Sequence, residues 1–164
     1  MKKKILLVIA SLNQGGTQKI IIDLFNYWKQ VGHDIKIITF DNKFQNLNPR
    51  LKKFVTKLEL IKDSKTIFHS IINNLKRIYK LRKILKENQE SQILSFIYTT
   101  NILTIVANFG LKNHLIISER NDPEFQTISN IWSLLRNIFY RFADKVTANS
   151  QKACRTIRKY VPSK

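Results

Sequence analysis

The strongest constraint on this chain is an alternation of two periodicities. Short runs that are apolar at every position are followed by stretches whose apolar residues recur every three or four positions. Residues 5–10 are the first such run. After the turn Gln14-Gly15-Gly16-Thr17, Ile20, Ile21, Leu24, Phe25 and Trp28 return at helical spacing until Gly32 supplies a stop. A strand apolar on both faces has to be covered on both faces, which places it in a parallel sheet between helical layers.

The pattern continues along the chain. Residues 35–40 read as a second strand, 41–50 with Pro49 as a loop, and 55–61 as a weaker strand. Ser64 can cap a long helix whose Phe68, Ile71, Ile72, Leu75, Ile78, Tyr79 and Leu85 form one apolar face. Residues 92–98 are the next strand, 101–109 a buried helix closed by Gly110, and 114–118 a further strand. Ile131, Leu134, Leu135, Ile138 and Phe142 mark another helix, 145–148 a short strand, and 150–160 a last basic helix. The fold expected is a Rossmann-like, doubly wound α/β domain with a mainly parallel sheet and helices on both faces. Ligands of such sheets bind beyond the carboxyl ends of the strands, so segments 11–17, 98–101, 118–123 and 149–150 are where function is sought.

With 164 residues, 43% of them hydrophobic, the chain can bury one core and is too short for two ordinary domains. Its 29 Lys and Arg against 11 Asp and Glu leave a net charge of +18, which favours an anionic partner: nucleic acid, anionic lipid or a phosphorylated substrate. Nucleic acid is not expected, because the aromatic residues fall on apolar faces and do not interleave with the basic ones. The single cysteine, Cys154, excludes an internal disulfide and fits a reducing compartment, so the expected location is cytoplasmic. No apolar stretch reaches the roughly 18 residues that span a bilayer, leaving only peripheral contact with the inner face of a cytoplasmic membrane. Lys65, Lys76, Arg77, Lys80 and Lys83 collect on one helix face, as a solvated surface or as a dock for anionic lipid.

Three motifs bear on chemistry. The turn Leu12-Asn13-Gln14-Gly15-Gly16-Thr17 joins a strand to a helix, where unpaired N–H groups and the helix dipole can hold an anion or a sugar hydroxyl. It lacks the spacing of a dinucleotide fingerprint or a P-loop, and a simple tight turn is the competing reading. Ser118-Glu119-Arg120-Asn121-Asp122-Pro123 sets polar groups at the end of an apolar strand. Arg120 offers a planar donor fork and Glu119 an acceptor or base, or else the two form an internal ion pair. His33, His69 and His114 have no ligand spacing between them, and there is no D-x-D hook for a metal–nucleotide complex, so no metal is expected.

Together these segments resemble glycosyltransferase family 4, of GT-B type. The blocks are Lys4 to Ile9 running into Leu12-x-x-Gly15-Gly16-Thr17, Gly32-His33-Asp34-Ile35, Leu94-Ser95-Phe96 with Asn101-Ile102, Ile117 to Pro123, and Tyr140-x-x-Ala143-Asp144-Lys145-Val146-x-Ala148-Asn149-Ser150. The resemblance implies the amino-terminal half of a GT-B fold and retaining transfer from a nucleotide diphosphate-sugar, used as co-substrate without a further cofactor, to a sugar or lipid-phosphate acceptor in surface polysaccharide or lipid-linked glycan assembly. By the same likeness Gly15, Gly16 and Thr17 lie near the donor diphosphate. Glu119, Arg120 and Asn121 face the acceptor, and Asn149 and Ser150 stand at the cleft end of the last strand. Gln18-Lys19 replace the Glu-Arg pair common in that family. Residues 1–164 are expected to be this one domain, inactive alone, with the donor-binding domain absent or supplied as a separate subunit. The alternative reading is a non-catalytic basic membrane adaptor, and a third a nucleotide-binding regulator.

Overall fold

The computed structural model describes residues 2–13, 15–41, 48–58, 67–120, 128–159 and 161. Six strands, β1 (Lys4–Ile9), β2 (Asp34–Thr39), β3 (Val55–Lys57), β4 (Gln92–Phe96), β5 (His114–Glu119) and β6 (Lys145–Ala148), form one sheet in the order β3-β2-β1-β4-β5-β6. Every pairing among them is parallel. The strand order reverses between β1 and β4, creating the crevice where sheets of this kind bind ligands.

The continuous apolar runs are explained by the two layers they fill. Successive side chains of a strand point to opposite faces, so β1 sends Leu6 and Val8 into one core and Ile5, Leu7 and Ile9 into the other. β2 divides in the same way, with Ile38 on the first side and Ile35 and Ile37 on the second. Helix α1 (Gly16–Gln30) closes the second core with Ile21 and Phe25, joined by Leu51 from α2 (Pro49–Lys52). Helices α3 (Ile67–Glu87) and α4 (Tyr98–Asn108) close the first core with Leu81, Leu85, Ile102, Leu103 and Ile105; α5 (Asn130–Phe139) adds Trp132 and Leu135 at its edge. A 3-10 turn (Tyr140–Phe142) leads to β6, and α6 (Gln151–Arg158) follows.

Several expectations are corrected. Segment 41–50 is not all loop: Asn48 caps α2 by accepting from the Arg50 N–H at 2.9 Å. Tyr98 does not end β4. The chain turns at Ile97, which has φ +72, and Tyr98 opens α4. The largest correction concerns α3. Leu81 and Leu85 are buried, yet Phe68 (70% exposed), Ile71, Leu75 and Tyr79 (74% exposed) face solvent as a second apolar stripe. The supposed basic face divides as well. Lys76, Lys80 and Lys83 are exposed, the Lys80 Nζ also donating to the Leu58 carbonyl at 3.1 Å, whereas Arg77 is half-buried. Ser64 and Lys65, the end of the 55–61 strand beyond Leu58, and Tyr160 lie outside the described residues.

Candidate functional site

The carboxyl ends of β1, β2 and β4 to β6 converge on one edge of the sheet, and each contributes a polar segment. After β1 the chain passes Ala10 and the buried Leu12 to Gly15, and α1 starts at Gly16. A Cβ at Gly15 or Gly16 would meet nothing within 4 Å, so what the glycines leave there is open approach to the backbone. Among the described residues no side chain caps the N-terminus of α1, and its first turn holds no acid, so this helix end with its positive dipole suits an anion. Thr17 stands half-exposed in this first turn, while Gln14 lies outside the described residues.

The turn is fastened by a residue that the sequence reading passed over. Asp41, 6% exposed at the end of β2, accepts from the Ser11 Oγ at 2.9 Å and from the Asn13 Nδ2 at 3.0 Å. The Ala10 carbonyl accepts from the Asp41 and Phe40 N–H groups and from the Thr39 Oγ1. The signal was present in the sequence: an acid directly after an apolar run, in a chain with only 11 acids.

At the end of β5 the expected polar wall has to be redrawn. Glu119 is fully buried, and its Oε2 accepts from the Tyr140 hydroxyl at 2.6 Å; it is not an open acceptor or base in the crevice. Asn101, also fully buried, donates to the Ser118 carbonyl at 3.2 Å and to the Tyr140 oxygen at 3.4 Å. Burial, then the neighbouring Glu119 carboxylate, push the Tyr140 phenol well above its ordinary pKa, opposed by the Asn101 bond and by Arg136. Arg120 emerges half-exposed at the strand end, its carbonyl accepting from the Asn149 Nδ2 at 2.9 Å. Asn149 and Ser150 are exposed at the end of β6, and the Ser150 Oγ is engaged as the cap of α6, accepting from the Ala153 N–H at 3.0 Å. Gly15, Gly16, Thr17, Arg120, Asn149 and Ser150 thus share one edge, while Asn121 lies outside the described residues.

A cavity of about 270 Å³ opens where β1 and β2 end, between the first three turns of α3 and the starts of α4 and α5. Phe40 and Leu103 form its buried floor, with Asn74, Arg77, Thr99 and Trp132 around it. The Arg77 guanidinium lies over the Phe40 ring at 5.8 Å and donates to the Asn74 Oδ1 at 2.7 Å; burial pulls its pKa below the ordinary value. Arg77 therefore belongs to this cavity and not to a membrane-facing stripe. Among the described residues no group of three or more His, Cys, Asp or Glu side chains could hold a metal ion.

A parallel sheet in 3-2-1-4-5-6 order, with a glycine turn and an uncapped helix N-terminus at its switch point, defines a Rossmann-like domain suited to anionic ligands. No protein-family profile matches the chain. Over 146 residues, 88% of its length, it is 37% identical to the GalNAc-alpha-(1->4)-GalNAc-alpha-(1->3)-diNAcBac-PP-undecaprenol alpha-1,4-N-acetyl-D-galactosaminyltransferase of Campylobacter jejuni subsp. jejuni serotype O:2, and covers 39% of that protein. Among solved structures, the apo form of the lipopolysaccharide outer core galactosyltransferase WaaB superposes with a TM-score of 0.70 at 14% identity, over 98% of this chain and 43% of that one. A glycosyltransferase from Rickettsia africae ESF-5 gives 0.66 at 20% identity, over 97% and 40% respectively. The chain is homologous to part of the Campylobacter transferase, and its fold and match are consistent with the amino-terminal domain of GT-B-type glycosyltransferases. It spans about two-fifths of the length of these relatives.

Proposed function

We propose that the chain is the acceptor-side domain of a retaining, nucleotide-sugar-dependent glycosyltransferase that extends a lipid-linked or surface glycan. The observation that carries this reading is the 37% identity to a transferase whose own name specifies a polyprenyl-diphosphate-linked acceptor. The crevice suits the role. The N–H groups of Gly16 and Thr17 at the head of α1 would face the donor diphosphate, and Arg120 and Asn149 would stand on the acceptor side. The polyprenyl diphosphate would be met at a membrane, where the exposed apolar stripe of α3 and its neighbours Lys76, Lys80 and Lys83 can lie on anionic lipid. Among the described residues no helix is long and apolar enough to cross a bilayer.

Transfer needs a second wall of the cleft to hold the nucleotide and stabilise the departing diphosphate. Each preorganised stabilising group of that kind contributes on the order of 3 kcal/mol, or roughly a hundredfold in rate, so a polypeptide of these 164 residues should transfer sugar only near background. The test is radiolabelled transfer from a panel of nucleotide-sugars to membrane lipid extract, with and without the donor domain of the Campylobacter relative. Turnover only when the donor domain is supplied is the expected result. Robust turnover by the 164 residues alone would move the catalytic apparatus into this chain, and no transfer in any combination would remove the reading.

A further inference from the structure

We propose that the cavity between α3, α4 and α5 is the seat of the acceptor's terminal sugar ring, with Trp132 and Asn74 as its specificity-determining residues. The inference rests on the transferase reading and adds to it a location that the strand-end residues alone do not supply. Size argues first. About 270 Å³ lies just below the roughly 300–1,000 Å³ of pockets that enclose drug-sized ligands, and admits one pyranose ring in place of a nucleotide. The lining argues second. A pyranose presents apolar C–H faces and a rim of hydroxyls that both donate and accept. The cavity offers the Trp132 indole to the former, and the Thr99 hydroxyl and the Asn74 amide to the latter. No carboxylate is among its described lining residues.

Preorganisation argues third. Trp132 and Tyr98 meet in a T-shaped contact, with ring centroids 6.0 Å apart and planes at 79°, which restrains the indole before a ligand arrives. Asn74 is likewise held, its Oδ1 bonded to Arg77, which leaves its Nδ2 to select a substituent on the ring. Position argues last. The cavity begins at Ala10, the last residue before the glycine-bearing turn, so a ring seated there and a diphosphate at the head of α1 share one crevice.

The experiment uses the full 164-residue chain with ¹⁵N-labelled tryptophan and backbone. Free N-acetylgalactosamine, galactose, glucose and inorganic phosphate are titrated separately. Trp28, on α1 in the opposite layer, is the internal control. The expected result is saturable movement of the Trp132 indole and Thr99 amide signals with N-acetylgalactosamine and a still Trp28 signal. Asn74→Ala and Trp132→Phe should each weaken binding about tenfold; the lost Arg77 bond and core packing lower the thermal midpoint modestly, while the Trp28 signal and the amide spectrum away from the cavity stay native. Saturation by phosphate but by no sugar, or no sugar response at Trp132, overturns the proposal. So does equal sugar affinity in Asn74→Ala. In the two-domain assay the two readings part: active transfer with an unchanged acceptor KM in Asn74→Ala removes this seat and leaves the transferase reading intact. Absent transfer alongside sugar binding at Trp132 removes the transferase reading and leaves a sugar site.

Discussion

Tyr140 and Glu119 form the tightest polar contact at the end of β5, and both are fully buried. A carboxylate taken out of water depends on the donors that reach it, so removing one leaves the desolvation penalty uncompensated. Tyr140→Phe deletes only the hydroxyl and should cost about 1–3 kcal/mol in urea unfolding at neutral pH. The pH dependence has a definite sign. The folded phenol is held above its ordinary value of 10, so the unfolded chain loses that proton first. The contribution of Tyr140 is therefore complete below pH 10 and falls as the pH rises beyond it. The stability gap between the native chain and Tyr140→Phe should be level from about pH 7 to 9 and should narrow above pH 10. A gap that widens in alkali would show that the phenol is not the group being stabilised. The same pair explains why Glu119 misleads a reader of the sequence. An acid closing an apolar strand suggests an open cleft, and nothing local reveals a tyrosine 21 positions later waiting to bury it.

At the scale of elements, the glycine turn is organised less by its glycines than by Asp41. Gly15 has an extended φ of 165, and neither glycine is hemmed in, while Asp41 ties Ser11 and Asn13 to the end of β2. Asp41→Ala should destabilise the fold by about 1–3 kcal/mol, and amide exchange should quicken first at Asn13, whose N–H is held by the Ser11 Oγ at 3.1 Å. Uniform quickening across β1 and β2 would instead mean that Asp41 supports the sheet and not the turn. Strand and helix positions were legible because a fully apolar run can be satisfied only between two layers, and β1 divides its side chains between both. The chemistry of the strand ends was legible in type, as at Arg120 and Asn149, which meet across 29 positions. What was not legible depends on which elements become neighbours. The α3 residues Phe68, Ile71, Leu75 and Tyr79 have the spacing of a core face, but α3 turns Leu81 and Leu85 toward the sheet and leaves those four outside. The cavity around Trp132 is assembled from three helices and two strand ends, so no single stretch of sequence announces it.

For the molecule as a whole, the +18 charge and the exposed apolar residues belong in one argument. Phe68, Ile71, Leu75 and Tyr79 fall on one line of α3, and Lys76, Lys80 and Lys83 flank it. On the helical layer that also contains α4 and α5, Ile131, Leu134 and Ile138 are exposed too, beside the edge-to-face pair Phe109 and Phe142. Long-range attraction to anionic lipid and burial of these apolar groups at the headgroup boundary are separable by salt. The Debye length falls from about 10 Å at 0.1 M to about 3 Å at 1 M, so the Coulombic part should fade over that range and the apolar part should persist. Each basic residue near such a surface is worth about 1 kcal/mol, so reversing Lys76, Lys80 and Lys83 to Glu should weaken co-sedimentation with anionic vesicles by at least about a hundredfold. Ile71→Ser with Leu75→Ser should lower affinity while leaving the salt slope unchanged, because it removes burial and no charge. Neutral vesicles should capture little of the native chain at any salt concentration. Unchanged binding after the triple reversal would remove α3 from the membrane contact and shift attention to the apolar residues of α5. Loss of the salt slope in the serine pair would show that lipid holds the charges only after the apolar stripe has docked.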